Sequence, residues 1–325
     1  CSVAVGVGAS GAVITWRAGH QASQSCTQYY RSLPEAGTTW SLPQIIPGLD
    51  ECLTTAQFLA GGGVLYLLGS VAPAATAATV LSPRTYLLAW DGLRWSEPQP
   101  QTALGASANP ETNQPISLHC LNGATVADQL SVVGCDQGVG GDVWWTFRSL
   151  GDTAAWFPPP AVWEGPVAVA AAAAPVAGMG MVADATGRSH LLWFEAGGRQ
   201  IFHAARDETG WSGVRQVLTS DIGALETIAV GGNGSRLMLV FRDAGGLHFA
   251  QADAQQPTQW TTPTALVEGQ GDIGEATLFV SGSGEFIVAY PIGLNEPRGI
   301  YLVRSADRGA SWSEPAQIFS GAAAG

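Results

Sequence analysis

The chain has 325 residues, of which 46% are hydrophobic and only 12% charged, and it contains 42 glycines and 12 tryptophans. So little charge beside so much apolar content excludes a disordered chain and a coiled coil, and the glycines lack the strict period of collagen. All 14 basic residues are arginines and the net charge is -12, so nucleic acid is not an expected partner.

Along the chain, one pattern occurs six times: a strand, a turn, a tryptophan and a second strand. The six tryptophans are Trp40, Trp95, Trp156, Trp211, Trp260 and Trp312. Two further alternating apolar stretches, joined by a Gly-rich turn, precede each pattern, for example at 227–230 and 237–241. Four short strands in each of six units predict an all-β fold, a six-bladed β-propeller with four-stranded antiparallel blades.

The predicted blades follow each other without a Pro- or Ser-rich linker and form a single propeller domain over residues 1–325. Their expected limits are 1–47, 48–101, 102–165, 166–218, 219–268 and 269–325. The chain is expected to open on an innermost strand and to close on an outermost one, so the ring would close by packing of the sixth blade on the first.

The sixth repeat carries the most specific motif. Its sequence, Ser305-Ala306-Asp307-Arg308-Gly309-Ala310-Ser311-Trp312, resembles the Asp-box of the sialidase-like family of BNR-repeat propellers, Ser-x-Asp-x-Gly-x-(Ser/Thr)-Trp. The motif predicts a tight hairpin in which Asp307 accepts turn N–H groups, Gly309 supplies a positive φ and Trp312 packs between blades. The other five repeats are degenerate versions of this turn.

One face of the predicted propeller is expected to bind a partner. In such a fold, the loops between second and third strands share a face with the blade-to-blade connections, and the Asp-box turns lie on the other. This loop-rich face should carry a ring of aromatic and charged residues around a central opening. Its predicted ligand-binding residues are Trp16, Arg17, Arg84, Glu195, Arg199, Arg242, Tyr290 and Arg298.

The resemblance to sialidases implies a catalytic alternative. That chemistry needs three arginines on the substrate carboxylate, an Asp acid/base and a Tyr nucleophile activated by a Glu. The candidates are Arg17, Arg242 and Arg298 for the arginines, and Tyr290 with Glu226 or Glu275 for the nucleophile pair. The early Phe/Tyr-Arg-Ile-Pro motif of sialidases is missing, because Ala18-Gly19 follows Arg17.

Neither a metal site nor a cofactor is expected. The five histidines show no metal-binding spacing. Two of them, His203 and His248, align at equivalent positions of third strands, which indicates a structural repeat.

Four of the five cysteines are expected to form two disulfides. Cys26 and Cys52 flank strand starts on the loop-rich face, and Cys120 and Cys135 fall on neighbouring antiparallel strands, so we predict Cys26–Cys52 and Cys120–Cys135. Paired cysteines in a chain with few charges and no lysine indicate an exported protein.

Cys1 is the remaining cysteine. A chain that begins Cys-Ser resembles a bacterial lipoprotein after removal of its signal peptide, which implies a diacylglycerol on Cys1. The membrane would then be reached through this lipid and not through a spanning helix. A secreted protein whose sequence boundary falls on Cys1 by chance is the alternative.

Three functional hypotheses follow. The first is a non-catalytic extracellular binding or assembly module whose loop-rich face meets a glycan or a protein of the cell envelope. The second is an exo-sialidase-type glycoside hydrolase. The third is a peripheral subunit of a membrane or envelope complex.

Overall fold

The structure, a computed structural model, describes residues 3–20, 25–71, 84–100, 118–126, 128–136, 142–150, 163–269, 273–281, 283–293 and 297–320. Within these ranges all regular secondary structure is β-strand, arranged in six antiparallel sheets. No helix that could cross a membrane occurs among the described residues. The chain forms two compact units, residues 1–171 and 172–325, each with three sheets.

The first unit contains sheets one to three. Sheet one has β1 (Val3–Gly8), β2 (Gly11–His20), β3 (Ser25–Pro34) and β4 (Gln44–Ile45). Sheet two has β5 (Thr55–Gly61), β6 (Val64–Val71), β7 (Arg84–Trp90) and β8 (Gln99–Pro100). Sheet three has β9 (Leu118–Val126), β10 (Gln129–Asp136), β11 (Val143–Ser149) and β12 (Glu164–Ala170).

The second unit contains sheets four to six. Sheet four has β13 (Val176–Ala183), β14 (Ser189–Glu195), β15 (Gln200–Asp207), β16 (Gly210–Trp211) and β17 (Arg215–Thr219), of which the last two both pair with β15. Sheet five has β18 (Thr227–Gly232), β19 (Arg236–Asp243), β20 (Gly246–Asp253) and β21 (Thr264–Glu268). Sheet six has β22 (Thr277–Val280), β23 (Phe286–Ile292), β24 (Gly299–Ser305) and β25 (Ala316–Ser320).

The six predicted four-stranded antiparallel blades are confirmed, with the fourth strand of sheet four split in two. One predicted limit is wrong: β12 runs to Ala170 and pairs with β11, so the third blade continues beyond residue 165. The dipeptide Gly165-Pro166 is typical of a turn but lies inside β12, which ends only at Ala170.

Apolar side chains fill the space between successive sheets of each unit. In the first unit Leu67 and Trp90 lie in one such core, and Tyr66 and Trp144 in the next. First strands lie so close together that β1 needs a glycine: a Cβ on Gly6 would come within 2.5 Å of the Phe58 ring. This close packing accounts for glycine inside an apolar strand.

A hydroxyl residue after the repeated tryptophan fixes the register of five sheets. These residues are Ser41, Ser96, Ser212, Thr261 and Ser313. Each donates its N–H to a carbonyl of the third strand at 2.7–2.9 Å, and its hydroxyl accepts the N–H of the same third-strand residue at 2.9–3.1 Å. The sixth tryptophan, Trp156, lies outside the described residues.

This register corrects one sequence alignment. The hydroxyl residue bonds Ala205 in sheet four and Gln251 in sheet five, so His203 aligns with Phe249. His203 and His248 are therefore one residue out of phase and lie on opposite sides of their sheets, because strand side chains alternate. The two histidines are not a structural repeat.

The turn at 305–312 has the hydrogen bonds that its sequence predicts. The Asp307 carboxylate accepts the Ser311 N–H at 2.9 Å and the hydroxyls of Ser311 and Ser305, and Gly309 has a φ of 87°. Trp312 is partly buried and packs on the core between sheets five and six. The turn is therefore a structural element of the second unit.

Both predicted disulfides are present. The Cα atoms of Cys26 and Cys52 are 5.7 Å apart, and those of Cys120 and Cys135 are 5.6 Å apart. The first bridge ties sheet one to the connection that leads into sheet two, and the second joins β9 to β10. Cys1 lies outside the described residues, and its lipidation stays a prediction.

Candidate functional site: the connection between sheets four and five

The predicted ligand-binding residues lie close to one end of their sheets, where the second strand passes into the third. We call this end of a sheet its loop edge. In the second unit, Glu195 ends β14 and Arg199 precedes β15, Arg242 is the penultimate residue of β19, and Tyr290 and Arg298 flank the loop from β23 to β24. In the first unit, Trp16 and Arg17 belong to β2, and Arg84 begins β7 with its side chain outside the described set.

In the first unit, the residues near the loop edge of sheet one pack on each other and on the connection to sheet two. Trp16 stacks on Tyr29 with ring centroids 5.9 Å apart. Opposite Arg17 in the register, the buried Gln28 donates to the Thr15 hydroxyl at 2.8 Å and accepts the Leu53 N–H at 3.3 Å. These contacts join the sheet to the connection that follows it.

Six polar residues of the second unit lie around the connection from sheet four to sheet five, in two hydrogen-bonded groups. We call them the connection cluster: Arg199, Ser220, Glu226, Arg242, Asp243 and His248. Three of them, Arg199, Glu226 and Arg242, are sequence-predicted site residues, and the structure pairs Glu226 with Arg242.

Asp243 is the centre of the connection cluster. Its carboxylate accepts the Ser220 hydroxyl at 2.6 Å, the Gly245 N–H at 2.8 Å and the His248 Nε2 at 3.0 Å. Burial alone would raise the pKa of Asp243, but these donors, with Ser220 foremost, hold that pKa below its ordinary value. Asp243 is thus an ionised carboxylate that fixes two segments of backbone.

The arginine and serine of the cluster attach the connection to sheet four. Arg199 donates Nε and Nη2 to the Ser220 carbonyl, with Nε at 2.8 Å, while the Ser220 hydroxyl accepts the N–H groups of Ile222 and Gly223. The connection is therefore held in one conformation from both sides.

Glu226 and Arg242 form a separate ion pair, between Glu226 Oε2 and Arg242 Nη2. The Glu226 N–H also donates to the Arg242 carbonyl at 2.9 Å. The Glu226 side chain is 43% exposed and that of Arg242 is 16% exposed, so the carboxylate faces solvent above a mostly buried guanidinium. Such a pair offers a ligand an acceptor beside a donor. Ile222, 59% exposed, adds an apolar surface on the same connection.

Of the two acids proposed to activate Tyr290, Glu226 pairs instead with Arg242. Tyr290 is 1% exposed and stacks on Tyr301, and burial raises the pKa of its phenol to about 12. Glu275 is exposed in the connection before β22, where the neighbouring Gly274 N–H donates to the Pro291 carbonyl.

The last two candidate arginines differ in their surroundings. The backbone carbonyl of Arg298 accepts a hydrogen bond from the Gln317 side chain at 2.8 Å, which joins the loop edge of sheet six to β25. Arg17 belongs to the first unit, and it is only partly exposed. Glu195 caps backbone, because its carboxylate accepts the Ala173 N–H at 3.1 Å.

Sequence reasoning missed Ser220, Asp243 and His248. Two local signals could have found the first two: Ser220-Asp221-Ile222-Gly223 and Asp243-Ala244-Gly245-Gly246 both place a small polar residue before glycine, which is typical of turns capped by a side chain. Their meeting depends on tertiary packing, which no local pattern encodes.

A second polar network lies at the other end of sheet four. Asp184 Oδ2 contacts His190 Nε2 at 3.3 Å, and His190 Nδ1 contacts His203 Nε2 at 3.1 Å. Both imidazoles are buried. Burial lowers the pKa of His190, and it lowers that of His203 to about 3. The described residues contain no group of three or more His, Cys, Asp or Glu that could hold a metal ion.

Comparison with known proteins gives neighbours in fold alone. No family model matches the chain, and no curated protein matches it. A fungal lectin of Aleuria aurantia, described as a six-bladed β-propeller that recognises fucose, superposes with a TM-score of 0.59 at 13% identity, over 100% of this chain and 96% of that one.

Two further solved structures show the same fold. A protein of unknown function from Dyadobacter fermentans has a TM-score of 0.60 at 13% identity, over 92% of both chains. An ulvan lyase of polysaccharide lyase family 25 has a TM-score of 0.59 at 10% identity, over 92% of this chain and 77% of that one. The protein is an all-β, six-bladed β-propeller.

Proposed function

We propose that the protein is a non-catalytic carbohydrate-binding module that works outside the cytoplasm and binds a glycan at the connection cluster. The exposed Glu226 carboxylate beside the Arg242 guanidinium is the observation that carries this proposal. Neighbouring hydroxyls of a sugar both donate and accept, so one hydroxyl can donate to the carboxylate while the next accepts from the guanidinium.

Rigidity supports a binding role for this pair. Asp243, Ser220 and Arg199 hold the surrounding backbone before any ligand arrives, so little conformational entropy is lost on binding. Ile222, exposed on the same connection, can cover an apolar C–H face of a sugar ring. The lectin and the polysaccharide lyase of the same fold both handle carbohydrate, which agrees with this proposal.

The compartment and the family are parts of the same proposal. Two disulfides agree with an oxidising environment outside the cytoplasm. The hydrogen bonds of the turn at 305–312 agree with membership of the sialidase-like propellers. The sialidase mechanism itself is not supported, since a buried phenol with a pKa of about 12 is a poor nucleophile.

A glycan array followed by calorimetry tests the proposal. The array identifies the bound saccharide, and the calorimeter then compares wild type with Arg242→Gln and Glu226→Gln. Loss of a charge-assisted hydrogen bond is expected to weaken binding about tenfold or more.

Arg94→Gln is the matched control. Arg94 pairs with Asp91 at 3.3 Å on a turn at the other end of sheet two, so this change also removes an arginine from a surface ion pair. Its affinity should equal that of wild type. Glycan binding that survives both Arg242→Gln and Glu226→Gln would remove the connection cluster from the proposal, and a protein that binds no glycan would refute it.

A further inference from the structure

The turn between β18 and β19 contains an Asn-Gly dipeptide, Asn233-Gly234, that the proposed function does not use. Asn233 is exposed at the tip of the turn. Gly234 has a φ of 84°, and its N–H donates no hydrogen bond to any residue that the structure describes. The backbone nitrogen that follows the Asn233 side chain is therefore not engaged in a hydrogen bond with any described residue.

Three donors converge on the side-chain carbonyl of Asn233. Its Oδ1 accepts the Arg236 N–H at 2.9 Å, the Ser235 hydroxyl at 3.1 Å and the Ser235 N–H at 3.2 Å. If a nucleophile adds to Cγ, this oxygen becomes an oxyanion. Donors already in place around it stabilise that charge, as they do in acyl-transfer enzymes.

We propose that Asn233 is a self-modification site, at which the protein's own turn promotes deamidation to aspartate and isoaspartate. The Gly234 nitrogen attacks Asn233 Cγ and gives its proton to water, water returns a proton to Nδ2, the Cγ–Nδ2 bond breaks, and ammonia leaves. The resulting cyclic imide is opened by a water molecule at either carbonyl. In sum, one water is consumed, one ammonium ion is released, and a carboxylate replaces a carboxamide.

The product would alter the neighbouring turn of sheet four. The Gly234 carbonyl accepts the Ala185 N–H at 2.8 Å, and Ala185 follows Asp184, the carboxylate of the buried histidine network. Isoaspartate lengthens the backbone at this point and adds a negative charge near Asp184. The modification would therefore loosen the contact between the turns of sheets four and five.

The chain contains its own control, Asn122-Gly123. This dipeptide lies inside β9, and the Gly123 N–H donates to the Gln57 side chain at 2.8 Å, so the nitrogen that would attack is engaged. A Cβ on Gly123 would come within 2.9 Å of Leu59, which shows how tightly this strand is packed. The same Asn-Gly dipeptide thus occurs once with the glycine N–H hydrogen-bonded inside a strand and once, in an exposed turn, with that N–H unbonded to any described residue.

The experiment incubates the native protein at neutral pH in water enriched in oxygen-18 and then maps peptides by mass spectrometry. Trypsin cleaves this lysine-free chain only after arginine and releases peptide 216–236, in which Asn233 is the single asparagine. Aspartate and isoaspartate formed during the incubation carry the label, so conversion during digestion is not counted. We expect conversion at Asn233 to exceed that at Asn122 at least about tenfold.

Two controls keep the proposal falsifiable. In urea, where the turn is absent, the two sites should convert at similar rates. Ser235→Ala removes one donor from the exposed turn and should slow conversion at Asn233 severalfold in the native protein. Native conversion at Asn233 no faster than at Asn122, or an unchanged rate in Ser235→Ala, would overturn the proposal.

Discussion

The ring of Trp312 packs edge-on against Phe249, with ring centroids 4.9 Å apart and planes inclined by 62°. Trp312 belongs to the turn of sheet six and Phe249 to β20 of sheet five, so this contact joins two successive sheets. The Gln251 side chain adds a hydrogen bond to the Arg308 carbonyl at 3.0 Å. The turn at 305–312 is therefore an attachment point between sheets.

Trp312→Ala should lower the free energy of unfolding by about 2 to 4 kcal/mol, because it opens a cavity beside Phe249 while the ring is only partly buried. Urea unfolding followed by circular dichroism measures this change. Leu93→Ala is the control, since Leu93 is 88% exposed on the turn of sheet two and should shift stability little. Equal shifts in both variants would contradict the packing role of Trp312.

Asp307 should make the stability of this turn depend on acid pH. The Ser311 hydroxyl, followed by the Ser311 N–H and the Ser305 hydroxyl, lowers the pKa of Asp307 to about 2 from 3.8. Because the folded-state pKa lies below the unfolded one, the stabilisation is complete above about pH 4 and is lost as the pH falls through 2. Asp307→Asn should therefore lower the melting temperature at pH 7, and this difference should shrink towards pH 2.

The exposed Asp50 provides the control for that measurement, because Asp50→Asn removes one carboxylate without a turn to support. Its melting curve should follow wild type at both pH values. A deficit in Asp307→Asn that is as large at pH 2 as at pH 7 would show that the carboxylate charge is not what stabilises the turn.

The blades could be predicted from the sequence because most repeats carry the same short motif between the third and fourth strands. The tryptophan is followed by Ser or Thr in five repeats, and that hydroxyl closes the same pair of hydrogen bonds each time. The predicted blades also predict the disulfide Cys26–Cys52, because they place these two cysteines near each other. The limit at 165 is wrong because Gly165-Pro166, a dipeptide typical of turns, lies inside strand β12.

The site was predictable only in part. Position at the loop edges indicates Arg199 and Arg242, whereas Glu226 is predicted only as one of two acids that could activate Tyr290, and it pairs instead with Arg242. Which charges pair depends on how the connection from sheet four folds back, and Asp243 with Ser220 decides that through contacts between distant segments. A single sequence carries no signal for those contacts.

Tyr290→Phe should change neither glycan binding nor the response to a fluorogenic sialoside. The phenol is buried against Tyr301, and a hydroxyl with a pKa of about 12 does not ionise at neutral pH. We expect no fluorophore release from wild type, Tyr290→Phe or the matched variant Tyr301→Phe. Release by wild type that disappears only in Tyr290→Phe would restore the sialidase hypothesis.

The buried histidines of sheet four should make the second unit sensitive to mild acid. His203 has a folded-state pKa of about 3, lowered first by burial and then by the neighbouring His190 and Arg188, while an unfolded histidine titrates near 6.5. Asp184 is the carboxylate that faces this pair, through His190. Below pH 6.5 His203 binds a proton in the unfolded chain but not in the folded chain. Its contribution to the free energy of unfolding is therefore fully present above pH 6.5 and decreases as the pH drops towards 3.

His203→Gln tests this linkage, because glutamine retains a polar group towards His190 Nδ1 but does not titrate. One proton of linkage corresponds to a slope of about 1.4 kcal/mol per pH unit, so the variant should lose up to that much of the pH dependence between pH 6 and 4. Urea unfolding at pH 7, 6, 5 and 4 measures the slope for both proteins. At pH 7 His203 is neutral in both the folded and the unfolded protein. A lower free energy of unfolding of the variant at that pH therefore measures the lost packing alone. Equal slopes in the two proteins would mean that protonation of His203 does not contribute to acid unfolding. The polar network of Asp184, His190 and His203 would then contribute to packing alone.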